Sequence, residues 1–222
     1  MALGHSGLVA GLSLGGGRDR TRDRYAATGP DRRADRLGAD GRARREDYPP
    51  RSSLFVAAVD GGAPTQITKD HPDIYPLWGP QSIVFTRQRK PTRKFDAFKQ
   101  DLFLVAPNDG APRRLTHQHP SFLLSGLTPV SWSADGSRLL GQFGGQDTVF
   151  AQTIDPSTGK VQTVWREQES IIGAALSRDG STILAMRGAF EPTSQTEVVT
   201  VPYSGGRPHV LVRHAWSPDW NR

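Results

Sequence analysis

The stretch Pro129–Leu140 reads PVSWSADGSRLL, and its shape returns at Gly173–Leu184 as GAALSRDGSTIL and from His214 as HAWSPDWNR. A second phrase alternates with it. SLFVAAVDGGAPTQIT (Ser53–Thr68) is followed by DLFLVAPNDGAPRRLT (Asp101–Thr116), a looser TVFAQTIDPSTGKVQTVW (Thr148–Trp165) and EVVTVPYSGGRPHVLV (Glu197–Val212). The apolar starts of this phrase, Leu54, Leu102, Val149 and Val198, lie 48, 47 and 49 residues apart. Internal repetition at this period means one supersecondary unit stacked several times, as in propellers, solenoids or arrays.

Each phrase predicts a pair of short antiparallel strands. Val- and Phe-rich runs flanking an Asp-Gly or Gly-Gly turn make a β-hairpin. In the first phrase the turn is Asp135-Gly136 or Asp179-Gly180, where Gly takes positive φ and Asp bonds nearby amides. Ser133 and Ser177 stand where a hydroxyl braces that turn. Trp78, Trp132 and Trp216, with Leu176 in the same slot, are expected to plug the space between neighbouring units. Two hairpins make a four-stranded unit of about 45 residues, and helical periodicity is nowhere persuasive. The fold class is therefore all-β, a β-propeller of about four four-stranded blades. Three full units are expected at Ile74–Thr116, Thr128–Trp165 and Ile172–Val212. The flanking halves either pair to close a four-bladed ring or leave an open, incomplete one.

Residues 51–222 carry these blades, and in them the sequence resembles the TolB-like, WD-like propeller repeat. That repeat reads roughly P-x-W-S-P-D-G-x-x-I-x-F, then Y-x-x-D-x-x-G-G-x-x-x-x-L-T. Trp216–Asp219, WSPD, is the closest short match, whereas Trp78–Ser82, WGPQS, lacks the Asp-Gly. The resemblance implies a protein-interaction or scaffolding role, envelope-associated partners such as lipoproteins, and a periplasmic or exported setting. It also admits the propeller portion of an enzyme, a prolyl-oligopeptidase-like serine peptidase or a propeller lyase, without its catalytic part.

Residues 1–50 differ in kind. They hold ten Arg, no Lys and seven Asp/Glu with almost no apolar periodicity after Leu14. Such a polyampholyte buries too little to offset chain entropy, so a disordered or low-complexity segment is expected. Its mixed charge argues against a nucleic-acid arm. Gly7–Leu14 resembles a weak signal-peptide core but lacks a preceding Lys or Arg. Gly11–Gly15 matches G-x-S-x-G around Ser13, without the strand and helix that this motif requires. No run of 18 apolar residues exists, so no membrane-spanning helix is expected. Cysteine is absent, which excludes a disulfide framework and Cys-based zinc sites.

Two constellations are candidates for binding. The links Thr68–Pro72 and Thr116–Pro120 both read Thr-x-x-His-Pro. They bring His71 and His119, with His214 and Glu169 from later links, towards one mouth of a central channel. His-Pro at a turn is also ordinary loop chemistry, so neither a metal nor a cofactor is assigned. The second constellation is the loop Arg87–Asp101, with Arg87, Arg89, Lys90, Arg93, Lys94 and Lys99 interleaved by Phe95 and Phe98. Basic and aromatic residues in a protruding loop suit an acidic partner. No catalytic nucleophile or carboxylate pair is indicated, and the expectation is a non-catalytic module. Its expected partner is another protein, with self-association through open blade edges as a further expectation.

Overall fold

The computed structural model describes residues 8–14, 52–58, 61–146, 148–165, 171–188 and 195–220. Every regular element in them is a strand. In chain order these are β1 (Leu8–Leu14), β2 (Ser52–Ala58), β3 (Thr65–Gln66), β4 (Asp73–Trp78), β5 (Ile83–Arg89), β6 (Lys99–Ala106), β7 (Asp109–Arg114) and β8 (Leu124–Trp132). They continue with β9 (Leu139–Gly145), β10 (Val149–Ile154), β11 (Val161–Thr163), β12 (Ile171–Leu176), β13 (Thr182–Arg187), β14 (Glu197–Pro202) and β15 (His209–Arg213).

The strands group as the repeat predicts. β4–β7, β8–β11 and β12–β15 are three up-and-down four-stranded antiparallel blades. Ahead of them β1, β2 and β3 form a three-stranded sheet. We number these sheets as blades one to four, with blade one the three-stranded sheet. Substantial packing between blades runs between consecutive ones: β2 on β4, β4 and β5 on β8, and β8, β9 and β10 on β12. No such packing joins β12–β15 to β1–β3 among the described residues, so the blades form an open arc rather than a closed four-bladed ring.

The three full blades superimpose residue on residue in their pairing. Ile83 faces Trp78 on one side and Val105 on the other; Leu139 faces Trp132 and Ile154 in the same way. Four residues further along, Arg87 lies between Asp73 and Asp101, Phe143 between Leu127 and Phe150, and Arg187 between Ile171 and Glu197. One slot thus holds ion pairs in blades two and four and a stacked Phe143–Phe150 pair, ring centroids 4.9 Å apart, in blade three. This register also makes Ala151 rather than Val149 the counterpart of Leu102, since Ala151 faces Gln142 as Leu102 faces Thr86. The offset is two residues, which leaves every side chain on its expected face.

Local chemistry repeats with the register. Ser133 Oγ donates to Asp135 at 2.7 Å and accepts the Arg138 amide at 3.0 Å; Ser177 does the same for Asp179 and Thr182. Asp135 and Asp179 also accept the amides of Ser137 and Ser181. At the blade's outer edge, Thr68 Oγ1 accepts the Leu54 amide and Thr116 Oγ1 the Leu102 amide, each at 2.9 Å. The Leu-Thr ending of the second phrase is therefore a latch between third and fourth strands.

The core lies between blades. Leu54, Ile67, Ile83, Phe85 and Val105 are buried between blades one and two. Val84, Leu102, Leu127, Leu139 and Ile154 fill the next space, and Leu140, Ala151, Leu176, Ile183 and Val199 the last. Polar bridges align these layers: Ser131 Oγ accepts the Leu176 amide at 3.0 Å, and Tyr203 donates to the Ile154 carbonyl at 2.8 Å.

Two expectations need correction. Leu8–Leu14 is not unstructured: its backbone pairs antiparallel with β2, Leu8 opposite Ala58 and Leu14 opposite Ser52. The remainder of the expected 1–50 segment lies outside the described residues. Ser13 sits inside this paired strand, not on a strand-to-helix turn. Trp78 and Trp132 pack against the inter-blade clusters as expected, but Trp216 is 60% exposed. The reason is spacing. Trp78 follows its latch residue Thr68 by ten positions, and Leu176 follows Trp165 by eleven, whereas Trp216 follows Val212 by only four. Trp220, in Pro218-Asp219-Trp220, repeats the Pro-x-Trp of Pro76-Leu77-Trp78, and its indole nitrogen is buried.

Candidate functional site

In an up-and-down blade the second-to-third strand loops and the blade-to-blade links share one end, and the hairpin turns share the other. The basic loop and the histidine links therefore meet on one face. Asp96 ties them together. Its carboxylate accepts the amides of Ala97 and of Leu123 in the next link, both at 2.8 Å, and the Lys99 ammonium at 2.8 Å. The Lys99 hydrogen bond, with those amides, holds the Asp96 carboxyl below its ordinary range. Lys99 Nζ also donates to the carbonyls of Ser121 and Leu124. A loop that would otherwise swing is pinned to the following blade.

This pinning sorts the eight basic-loop candidates. Arg87 makes a bidentate pair with buried Asp73, at 2.6 and 2.8 Å, and lies over the Phe103 ring at 4.5 Å. Arg89 pairs at 2.9 Å with Asp101, which is buried and also holds Arg114 at 2.7 Å. Lys99 serves the clamp, and Phe98 is half-buried. Lys90, Arg93 and Lys94 are exposed, and Phe95 is 81% exposed with the Lys94 ammonium 4.8 Å from its ring centre. The outward surface of the loop is thus an aromatic tip ringed by cations. Phe122, on the link that Asp96 grips, is also exposed. Sequence alone missed Asp96, which reads as a charge diluting the basic run.

His71, His119 and His214 are all exposed, each in a separate link, while Glu169 lies outside the described residues. Among the described residues, no three His, Asp or Glu side chains gather as a metal-binding group. No helix there is long and apolar enough to cross a membrane.

The opposite face carries a cleft of about 540 Å³ between blades two and three, lined among others by Pro80, Leu104, Arg113, Trp132, Asp155 and Pro156. Trp132 Nε1 is buried there without a hydrogen-bond partner. Asp155 is held down to about 2 by hydrogen bonds from the Ser157 hydroxyl and amide, so it faces the cleft as a carboxylate. Nothing in the sequence pattern pointed to this cleft, because it arises where turns of two blades diverge.

No family model matches the sequence, and no curated protein matches it. Solved structures do match the fold. A protein described as TolB from Agrobacterium tumefaciens aligns with TM-score 0.50 and 17% identity, covering 72% of this chain and 55% of that one. A puromycin-hydrolysing peptidase from Mycobacterium tuberculosis aligns with TM-score 0.50 and 22% identity, over 74% of this chain and 25% of that one. A puromycin hydrolase aligns with TM-score 0.53 and 17% identity, over 76% and 25%. The chain spans about half the length of the first of these and a quarter of the others. At such identities the likeness concerns fold, and with the repeated four-stranded sheets it makes the described residues blades of a β-propeller similar to TolB and to peptidase propeller domains.

Proposed function

We propose that this chain is a non-catalytic interaction module that docks an acidic protein segment on the face carrying the basic loop. The observation behind this reading is the pinned loop. Asp96 and Lys99 spend their charges holding the backbone, so Arg93, Lys94 and Phe95 are presented outward from a fixed base. Ordering a loop in advance reduces the entropy lost on binding. An exposed aromatic beside cations suits a partner that offers carboxylates and an apolar contact. The TolB resemblance supports an envelope-associated partner and an exported setting.

The test is fluorescence anisotropy with Glu/Asp-rich peptides carrying one aromatic residue, against Lys-rich peptides of equal length. Acidic peptides are expected to bind, with affinity falling steeply as salt rises. Phe95→Ala and Arg93→Glu/Lys94→Glu should each weaken binding about tenfold or more. Binding that ignores both variants would overturn the reading.

A second reading is favoured by the two peptidase alignments: the blades act as the propeller of a serine peptidase. Coding sequence continuing past Arg222 into G-x-S-x-G, Asp and His, in that order, would establish it.

A further inference from the structure

The cleft between blades two and three is assembled from both. Its wall on blade two is β6 and β7, with Leu104 and Arg113; its wall on blade three is the β10–β11 turn, with Asp155 and Pro156. Pro80 of the β4–β5 turn and Gly136 of the β8–β9 turn meet at the cleft, for a Cβ added at Gly136 would touch the proline ring at 3.5 Å. At the exposed rim Arg113 Nη2 donates to the Pro156 carbonyl at 3.4 Å, a bond that spans the two blades. All of these residues lie within the two complete blades β4–β7 and β8–β11.

Two opposite charges face this cleft without meeting. Arg113 is exposed, and the long bond to Pro156 is its one hydrogen bond among the described residues. A guanidinium offers five N–H donors, so most of them are unused. Asp155 is half-buried and spends one oxygen on its own turn. Oδ1 accepts the Ser157 hydroxyl at 2.6 Å, the Ser157 amide at 2.8 Å and the Thr158 amide at 3.2 Å, and Oδ2 takes no part in these bonds. Among the described residues, neither Arg113 nor Asp155 is held in an ion pair.

Trp132 adds a third unmet group. Its Nε1–H is buried without an acceptor, beneath the β4–β5 turn, where a Cβ on Gly79 would come within 2.9 Å of it. A buried donor without a partner is uncommon and marks a place where an acceptor fits.

We propose that this cleft binds a small zwitterion carrying a large apolar group, of the class of a free aromatic or branched amino acid. The ligand's carboxylate meets Arg113, its ammonium meets Asp155 Oδ2, and its side chain lies against Leu104, Trp132 and the two prolines. Trp132 Nε1 supplies a further donor for the carboxylate. The cleft's about 540 Å³ falls in the range of small-molecule sites. Charge selects the class. A simple anion would be repelled by the fixed Asp155 carboxylate, and a simple cation by Arg113. A neutral polyol would strip water from both charges and give neither a counter-charge. A zwitterion answers both at once.

The test is calorimetric titration of the full chain with L-phenylalanine, N-acetyl-phenylalanine, phenylalanine amide and glucose. L-phenylalanine is expected to bind, with the acetylated and amidated forms weaker by about tenfold or more and glucose silent. Arg113→Gln alters an exposed side chain with one long bond. It should weaken L-phenylalanine by about tenfold or more and leave phenylalanine amide unchanged. Asp155→Asn should do the reverse, sparing N-acetyl-phenylalanine. In nitrogen–proton spectra the indole signal of Trp132, identified among the five tryptophans by its loss in Trp132→Phe, should shift on titration. No binding of L-phenylalanine in the millimolar range would overturn the proposal. So would equal binding of the acetylated or amidated form, an Arg113→Gln variant that binds as the parent does, or an unmoved Trp132 signal. The basic loop lies on the other face, so Phe95→Ala should leave this binding intact; its loss there would place the ligand elsewhere and sink the assignment. Either proposal can therefore fail without the other.

Discussion

Asp73 and Arg87 close a bidentate ion pair in the slot where the next blade places Leu127 against Phe143. Asp73 is fully buried, and Arg87 is nearly so. Two solutions to one packing problem therefore coexist within a single chain. A buried ion pair is often no more stabilising than a well-packed apolar pair, but breaking one partner is costly. Asp73→Ala should destabilise the protein by about 3–5 kcal/mol. Asp73→Leu with Arg87→Phe, the blade-three solution, should stay within about 1 kcal/mol of the parent. Urea unfolding of the variants decides this, and a double variant as unstable as the single would refute the equivalence of the slots.

The latch threonines give a second prediction. Thr68→Val and Thr116→Val keep shape but strand the amides of Leu54 and Leu102 in the interior. Each should cost about 1–3 kcal/mol, and Thr→Ser at the same sites should recover most of it. Thr116 should be the more sensitive, because its hydroxyl also reaches Asp101 at 3.3 Å. Thermal melts of the four variants check the order.

Glycine sites separate by what surrounds them. Gly126 has φ +127°, and an added Cβ would strike the Gln100 carbonyl of the preceding blade. Gly136 has φ +72°, and its Cβ would meet only Pro80 at an ordinary 3.5 Å. Gly136→Ala should cost about 1 kcal/mol, from backbone strain alone. Gly126→Ala should cost more than about 2 kcal/mol, since strain and collision add. Equal losses in denaturant titrations would remove the inter-blade contact from the argument.

Acid sensitivity follows from the turns. Hydrogen bonds from Ser133 and Ser177 hold Asp135 and Asp179 at about 2, and Ser157 does so for Asp155, against an ordinary 3.8. These folded-state values are depressed. Their stabilisation is fully present above the unfolded value and is lost as pH falls from there through about 2. Melting temperature should fall between pH 4 and pH 2, and the fall should be shallower in the Asp135→Asn/Asp155→Asn/Asp179→Asn variant. A slope unchanged by that variant would show that other carboxylates govern acid unfolding.

Sequence by itself determined the unit. A period near 48, Asp-Gly turns between Val-rich runs, and serines two residues ahead of the aspartates specify strands and hairpins through local bonds that each segment makes with itself. The blades were legible for that reason, as was the role of Ser133 and Ser177. Tertiary structure decided whatever depends on a neighbouring blade. It turned Arg87, Arg89 and Lys99 from a free basic face into ion pairs and a clamp, because their partners Asp73 and Asp101 lie on adjacent strands and Leu124 in the next blade. It gave Asp96 its task through Leu123, 27 residues away. It exposed Trp216 and buried the indole nitrogen of Trp220 instead, since the link from β15 to Trp216 is too short to carry that ring inward. And among the described residues it left β12–β15 unpacked against β1–β3, because closure depends on how consecutive sheets stack, a rotation that no single repeat encodes.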